Sequence, residues 1–223
     1  MAPSQLTLPL RPYHTSQAAP TSVPFILSVS PDTDLWLKPA PLNGPPGSLP
    51  LISKSQPTFY TPIRLATFNR ASVTVSFFAE QLYDQAGAIL LYPGDTSKWI
   101  KAGLEYVDEQ AKRSVVVASG GDHGADWSVS PPLASAKDTD PTKGIVRSTV
   151  EFEREEGGRG TSLMIKIGGE VVREVTWVFA KGKEDAGEEE IWVGIYGARP
   201  AKGDIGDLKV QVEAWELDVD AGK

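Results

Sequence analysis

The chain predicts an all-β fold, an antiparallel β-sandwich or closed barrel, and three observations carry that prediction. Short strand-like runs recur along its 223 residues, turn signals rich in Gly, Pro and Asp separate them, and no convincing amphipathic helical period interrupts them. The clearest run is 99–107, Trp-Ile-Lys-Ala-Gly-Leu-Glu-Tyr-Val, a strict two-residue alternation. Successive strand side chains point to opposite faces. Ile100, Ala102, Leu104 and Tyr106 therefore face a core, while Trp99, Lys101, Gly103 and Glu105 share the other face. An ordinary solvated face carries Thr, Ser, Lys and Glu. One that aligns a Trp, a Gly, a Lys and a Glu has the make-up of a binding-groove floor.

Taken in order, residues 1–24 are rich in Pro, Ser, Thr and Gln and predict a flexible or extended N-terminal arm. Residues 25–223 are then a single domain. Phe25-Ile26-Leu27-Ser28-Val29 is its first strand. Pro39, Pro41, Pro45, Pro46 and Pro50, with Gly44 and Gly47, predict a long surface loop. Strands follow at 58–60, 72–78, 85–92, 99–107 and 114–118, then at 145–154, 162–167, 170–178, 190–196 and 209–217. Gly168-Gly169 lies between two apolar runs and predicts a two-residue hairpin. The charged 181–189 stretch predicts a solvated loop.

Composition narrows the function classes. With 40% hydrophobic residues the chain can bury a core without covalent staples. The absence of cysteine excludes disulfides, thiolate metal sites and a cysteine nucleophile. His14 and His123 are the only histidines, which argues against a multi-histidine metal site. The net charge of −7, from 29 acidic and 22 basic residues, argues against nucleic acid or an anionic membrane as partner. Prolines interrupt the Leu6, Leu8, Leu10 region, which therefore lacks a signal-peptide core. No apolar run approaches the ~18 residues of a membrane span. The expectation is a soluble, cytoplasmic protein.

Several ordered strings add a resemblance. They are Asp34-Leu35-Trp36, Tyr83-Asp84-Gln85-Ala86-Gly87 and Trp99-Ile100-Lys101-Ala102-Gly103-Leu104-Glu105. Ser114-Val115-Val116-Val117, Asp126-Trp127-Ser128 and Val193-Gly194-Ile195-Tyr196-Gly197-Ala198-Arg199-Pro200 follow. Together they resemble the domain-of-unknown-function family that includes the fungal regulation-of-enolase proteins, over roughly Asp34 to Leu217. The resemblance implies a concanavalin A-like jelly roll of two antiparallel sheets, one concave, and implies no reaction. The long Pro-rich stretch at 37–57 and a 131–143 loop depart from the family's pattern and would reshape the mouth of any groove.

The candidate ligand-binding set is Tyr83, Gln85, Trp99, Lys101, Glu105, Trp127, Arg173, Trp192 and Tyr196. With Ile191, Val193 and Ile195 phased into the core, Trp192, Gly194 and Tyr196 fall on the face of Trp99. A sugar presents an apolar ring face flanked by hydroxyls, which aromatic rings and polar side chains can match. Glycines in the floor let a ligand approach the backbone. The competing reading is that these aromatics form a second apolar layer beneath a covering loop. Lys101 and Glu105 share a face but lie ~13 Å apart along a strand, so each needs a partner from elsewhere.

Glu105, Lys101 and His123 are the catalytic candidates, with Glu105 or His123 moving a proton and Lys101 or Arg173 stabilising developing negative charge. The carboxylate pair of a glycoside hydrolase is missing. Asp84 is better read as structural. Asp122 and Asp126 do not assemble the oxygen ligands a calcium ion needs, and no metal or cofactor is implied. The leading reading is a lectin-like binding protein for a carbohydrate or other small polar molecule. Its alternatives are a metal-independent isomerase, cyclase or lyase, and a protein-binding regulator of a metabolic enzyme.

Overall fold

Two large antiparallel sheets stacked face to face, with two two-stranded ones beside them, make up the computed structural model, which describes residues 4–5, 8–45, 51–121, 123–131, 144–155, 160–180 and 188–220. The strands begin with β1 (Ser4–Gln5), β2 (Arg11–Tyr13), β3 (Ser22–Val23), β4 (Phe25–Val29), β5 (Leu35–Lys38) and β6 (Leu51–Lys54). They continue with β7 (Thr58–Arg64), β8 (Phe68–Phe78), β9 (Gln85–Leu91), β10 (Lys98–Val107), β11 (Gln110–Ser119) and β12 (Ala125–Ser130). The last are β13 (Ile145–Arg154), β14 (Leu163–Ile167), β15 (Glu170–Val175), β16 (Glu190–Ala198) and β17 (Leu208–Val219). One sheet has seven strands in the order β12-β11-β10-β9-β16-β7-β2, the other six in the order β15-β14-β13-β8-β17-β4.

The two-residue alternation decides what lies between the sheets. Ile100, Ala102 and Leu104 of β10 face the core with Ala86, Ala88 and Leu90 of β9 and Ile191, Val193 and Ile195 of β16. The six-stranded sheet answers with Val73, Val75 and Phe77, Val150 and Phe152, and Val210 and Val212. Each Val, Leu, Ile or Phe among them taken fully out of water contributes about 1.5–3 kcal/mol, so the alternation fixes the register of every central strand. The Gly168-Gly169 turn joins β14 to β15, with φ of 65° and 84°. Both glycines take the left-handed conformation that a tight hairpin turn favours.

The N-terminal segment is an extended strap over residues 8–24. β2 adds to the edge of the seven-stranded sheet, with Arg11 opposite Tyr60 and Tyr13 opposite Thr58. Leu10 and Val23 are buried in the main core. Two features of the Pro-rich and Asp-Trp-Ser regions were not expected as strands. β5 and β6 pair as a hairpin, Leu35 opposite Lys54 and Leu37 opposite Ile52, and flank the 39–50 stretch read as a surface loop. β12 is an edge strand on β11, in a segment where no strand was expected. Neither has a long apolar alternation of its own, and each is held by a partner strand. Residues 46–50, 132–143, 181–187 and Asp122 lie outside the described residues, and with them most of the expected 131–143 and 181–189 loops.

The β5–β6 hairpin crosses the outer face of the seven-stranded sheet. Its Leu35 and Leu37 pack on Ile89, Trp99, Val116, Ala118 and Tyr196, a second small apolar cluster apart from the main core. The hairpin thus covers part of the face that the alternation of β10 builds, and leaves a cavity on either side.

Candidate functional site

The larger cavity, about 370 Å³, is lined by Asp34, Trp36, Tyr83, Gln85, Lys101, Glu105, Val116, Trp127 and Pro200. Strand register explains its floor. Gln85 lies opposite Glu105 and Gly87 opposite Gly103, while Lys101 pairs with Val116 and Val116 with Trp127. Gly87 and Gly103 sit in the row between Lys101 and Glu105. A Cβ on either would come within 2.0 Å of a carbonyl oxygen of the other strand, so only glycine fits this pair. The open row between the two charged side chains is a direct consequence.

Glu105 is buried, and its hydrogen bonds converge on one oxygen. Ser114 Oγ donates to Glu105 Oε2 at 2.5 Å, and Trp127 Nε1 donates to the same atom at 2.9 Å. Among the described residues no hydrogen bond reaches Oε1. Burial pushes the Glu105 carboxyl above the usual carboxylate range. The Lys101 charge and the Ser114 and Trp127 bonds pull the other way without overcoming it. Lys101 is buried too, and its ammonium meets Asp34 Oδ1 at 3.1 Å and stands 5.8 Å over the Tyr196 ring. Asp34 comes from the start of the hairpin, 67 residues away in sequence. This is the separate partner that the strand spacing of Lys101 and Glu105 required.

The raised Glu105 value sets a pH dependence. A carboxyl whose folded value lies above its unfolded one favours folding while protonated. That contribution is lost as pH rises from the ordinary value of 4.5 through the raised one. Glu105→Gln keeps the hydrogen-bond acceptor and deletes the charge. Its melting temperature should therefore gain on the wild type as pH rises from 4 to 8, and a gap that narrows over that range would contradict the burial argument.

At the mouth, Tyr83 and Trp127 meet edge to face at 6.1 Å and 83°, both partly exposed. Tyr83 has φ of 67°, an uncommon conformation for a residue with a Cβ. The next residue holds it there. Asp84 Oδ2 accepts from the Glu80 and Gln81 amides at 3.1 and 2.9 Å. Arg199 then forks onto Asp84, Nε to Oδ1 and Nη2 to Oδ2, both at 2.8 Å. Both side chains are essentially inaccessible to water. Asp84 is structural, and the pair places the neighbours Tyr83 and Pro200 on two walls of the cavity.

The structure separates the predicted site residues into groups. Tyr83, Gln85, Lys101, Glu105 and Trp127 line one cavity. Tyr196 is buried beneath it, its hydroxyl 3.4 Å from Gln85 Oε1, and burial among negative charges pushes its phenol far up. Trp99 and Trp192 belong elsewhere, lining the smaller cavity beyond the hairpin. Trp99 is only 1% exposed. The shared Trp99–Glu105 groove is thereby corrected: Leu35 and Leu37 seal the Trp99 end, and the packing reading holds there. Arg173 is also corrected. It reaches from β15 to Ser128 Oγ on β12 at 3.3 Å, linking the edges of the two sheets outside the cavity. His123 is exposed on the β11–β12 turn and lines neither cavity. Asp34, Trp36 and Ser114 were not among the predicted site residues. Asp34 and Trp36 stood in one of the resemblance strings, but nothing in their spacing aimed them at Lys101.

Two face-to-face antiparallel sheets of this topology define the class: a concanavalin A-like β-sandwich with a jelly-roll arrangement. The chain belongs to the family described as protein of unknown function DUF1349, whose family model matches residues 15–219. It is 33% identical over 198 residues to an uncharacterized protein of Emericella nidulans, covering 87% of this chain and 86% of that one. It is 27% identical over 157 residues to Regulation of enolase protein 1 of Saccharomyces cerevisiae, covering 69% and 65% of the two chains. Among solved structures it resembles a functionally unknown Saccharomyces cerevisiae protein, with a TM-score of 0.67, 21% identity and coverage of 98% and 100%. An alginate lyase from Pseudomonas aeruginosa matches at a TM-score of 0.50 with 11% identity, covering 76% and 75%. Both structural likenesses are likenesses of fold. Among the described residues no helix is long and apolar enough to cross a membrane.

Proposed function

We propose that the protein binds a small polar molecule, with a carbohydrate as the best chemical fit, in the Glu105 cavity. The observation that carries this reading is convergence. Three aromatic side chains, Trp36, Tyr83 and Trp127, and four polar ones, Asp34, Gln85, Lys101 and Glu105, reach one cavity of about 370 Å³ from four separate stretches of chain. The volume lies within the range of ordinary ligand sites. Exposed Tyr83 and Trp127 faces can cover the apolar face of a sugar ring, while the acceptors and the ammonium address its hydroxyls.

A thermal-shift screen against sugars, sugar phosphates and central metabolites tests it, since a ligand that binds only the folded chain raises the melting temperature. A hit should lose at least about tenfold in affinity in both Trp127→Ala and Glu105→Gln, the loss expected when a contact of about 1.4 kcal/mol is removed. A hit indifferent to both variants would sink the proposal.

Two further readings have an observation each. Glu105, with its raised carboxyl, a free Oε1 and the Lys101 ammonium in the same cavity, suits proton transfer to or from a bound substrate. Lys101 would then stabilise developing negative charge, as in an isomerase, cyclase or lyase that needs no metal. The name of the Saccharomyces cerevisiae relative supports instead a regulator that docks on a metabolic enzyme.

A further inference from the structure

We infer that the ligand of the Glu105 cavity is an amino sugar whose protonated amine meets Glu105 Oε1, an assignment that rests on the sugar-binding reading above. Charge is the first ground. Asp34, Lys101 and Glu105 are the charged residues of the lining. With Glu105 ionised, two carboxylates face one ammonium and the cavity is negative. That ammonium is committed, since Lys101 Nζ stands 3.1 Å from Asp34 Oδ1. Lys112 lies directly opposite Glu105 in the register of β10 and β11, yet its ammonium bonds Asp108 Oδ2 at the strand turn. Among the described residues no cation pairs with Glu105. The two lysines nearest to it in the sheet each serve another carboxylate.

Hydrogen bonding is the second ground. Ser114 Oγ and Trp127 Nε1 both donate to Oε2, and both are neutral. Oε1 accepts nothing among the described residues. It also keeps accessible surface, whereas the unpartnered Trp99 Nε1 has almost none. The carboxyl of a residue only 5% exposed thus presents one unoccupied oxygen to the cavity it lines.

The two grounds together select an ammonium. A sugar hydroxyl would donate to Oε1 and leave the charge uncompensated, and a charge buried without a counter-charge costs far more than a missed hydrogen bond. An ammonium supplies the donor and the charge at once. Burial holds the Glu105 carboxyl above its usual range, and a cation at Oε1 draws it back to the ionised form. The aromatic lining favours the same sign, because the faces of Trp36, Tyr83 and Trp127 attract cations. The remaining ring hydroxyls fall to Gln85, which both donates and accepts. Sugar phosphates and uronic acids are disfavoured, since their anions would face two carboxylates.

The test follows the Trp127 indole N–H resonance of the full-length ¹⁵N-labelled chain at pH 6.5, assigned by its disappearance in Trp127→Phe. This N–H bonds the Glu105 carboxyl and so reports on the site itself. The probes are D-glucosamine, D-glucose and N-acetyl-D-glucosamine, which share a ring and carry an ammonium, a hydroxyl and a neutral amide at one position. D-Galactosamine and D-galactose repeat the comparison on a second ring. In at least one of the two series the amine should move the resonance saturably and bind at least about tenfold more tightly than its neutral counterparts. Glu105→Gln keeps the shape and deletes the charge, and should bring amine and hydroxyl forms within about twofold of each other. If that variant fails to fold, the N-acetyl comparison carries the charge test on the wild type. A neutral sugar bound as tightly as its amine, or a preference that persists in Glu105→Gln, overturns the assignment and leaves the cavity a sugar site. A resonance that none of the sugars moves also overturns it, and the metabolite screen then decides separately whether the cavity binds a ligand.

Discussion

Asp84→Ala is expected to destabilise the protein by about 3–5 kcal/mol, because it leaves the Arg199 guanidinium buried without its carboxylate. The geometry makes the loss larger than for a surface pair. Arg199 makes two parallel 2.8 Å bonds to Asp84, and its remaining hydrogen bonds, at 3.0–3.3 Å, go to the Ile205 and Gly206 carbonyls. The carboxyl of Glu80 stands 3.6 Å away but is half exposed and cannot substitute. Asp84 also holds two amides of the 80–84 turn, so its loss frees Tyr83 from its left-handed conformation. Equilibrium unfolding in urea measures the effect. A shift worth less than about 1 kcal/mol would mean that water reaches Arg199 and the fork is not structural.

Trp99→Ala should cost a similar amount, about 3–5 kcal/mol, as a large side chain removed from a packed cluster. Its partners there are Leu35 and Leu37 of the hairpin and Ile89, Val116 and Ala118 of the sheet. Besides this cluster, the Asp34–Lys101 bridge and the Lys54–Thr96 hydrogen bond tie the hairpin to the sheet. Amide hydrogen exchange at residues 35–38 should therefore rise well before the sandwich unfolds. Trp192→Ala is the control. Trp192 is only partly buried and stacks on Tyr60, a contact worth about 0.5–1.5 kcal/mol beyond its area. Equal costs for the two tryptophans would show that the hairpin does not seal Trp99.

Much of the sandwich was legible because its information is local. The 25–29 and 145–154 runs match β4 and β13 residue for residue, and β10 starts one residue before the expected 99–107. Alternation records which face each residue takes, and apolar burial makes that record decisive. What failed was of a different kind. β5, β6 and β12 lack a long apolar alternation, and each exists because a neighbour supplies its hydrogen bonds. The Asp-Trp-Ser string of β12 was not among the expected strands, yet β12 brings the Trp127 indole to Glu105 at 2.9 Å.

The site divides along the same line. Which residues of β9, β10 and β16 lie on the outer face follows from a period of two, and so does the presence of Gln85, Lys101 and Glu105 on one floor. Whether that face is open could not be read from the period. Trp99 and Glu105 are equivalent in phase and differ entirely in environment, because the hairpin lies over one and not the other. The sequence alone therefore determined the sandwich, its core and the face that carries polar and aromatic chemistry, since each depends on contacts a few residues apart or on alternation. The tertiary structure alone decided that Asp34 meets Lys101, that Arg199 fixes Tyr83 through Asp84, and that one face holds two cavities. Those contacts join residues 67 and 115 positions apart, a separation that no local spacing encodes.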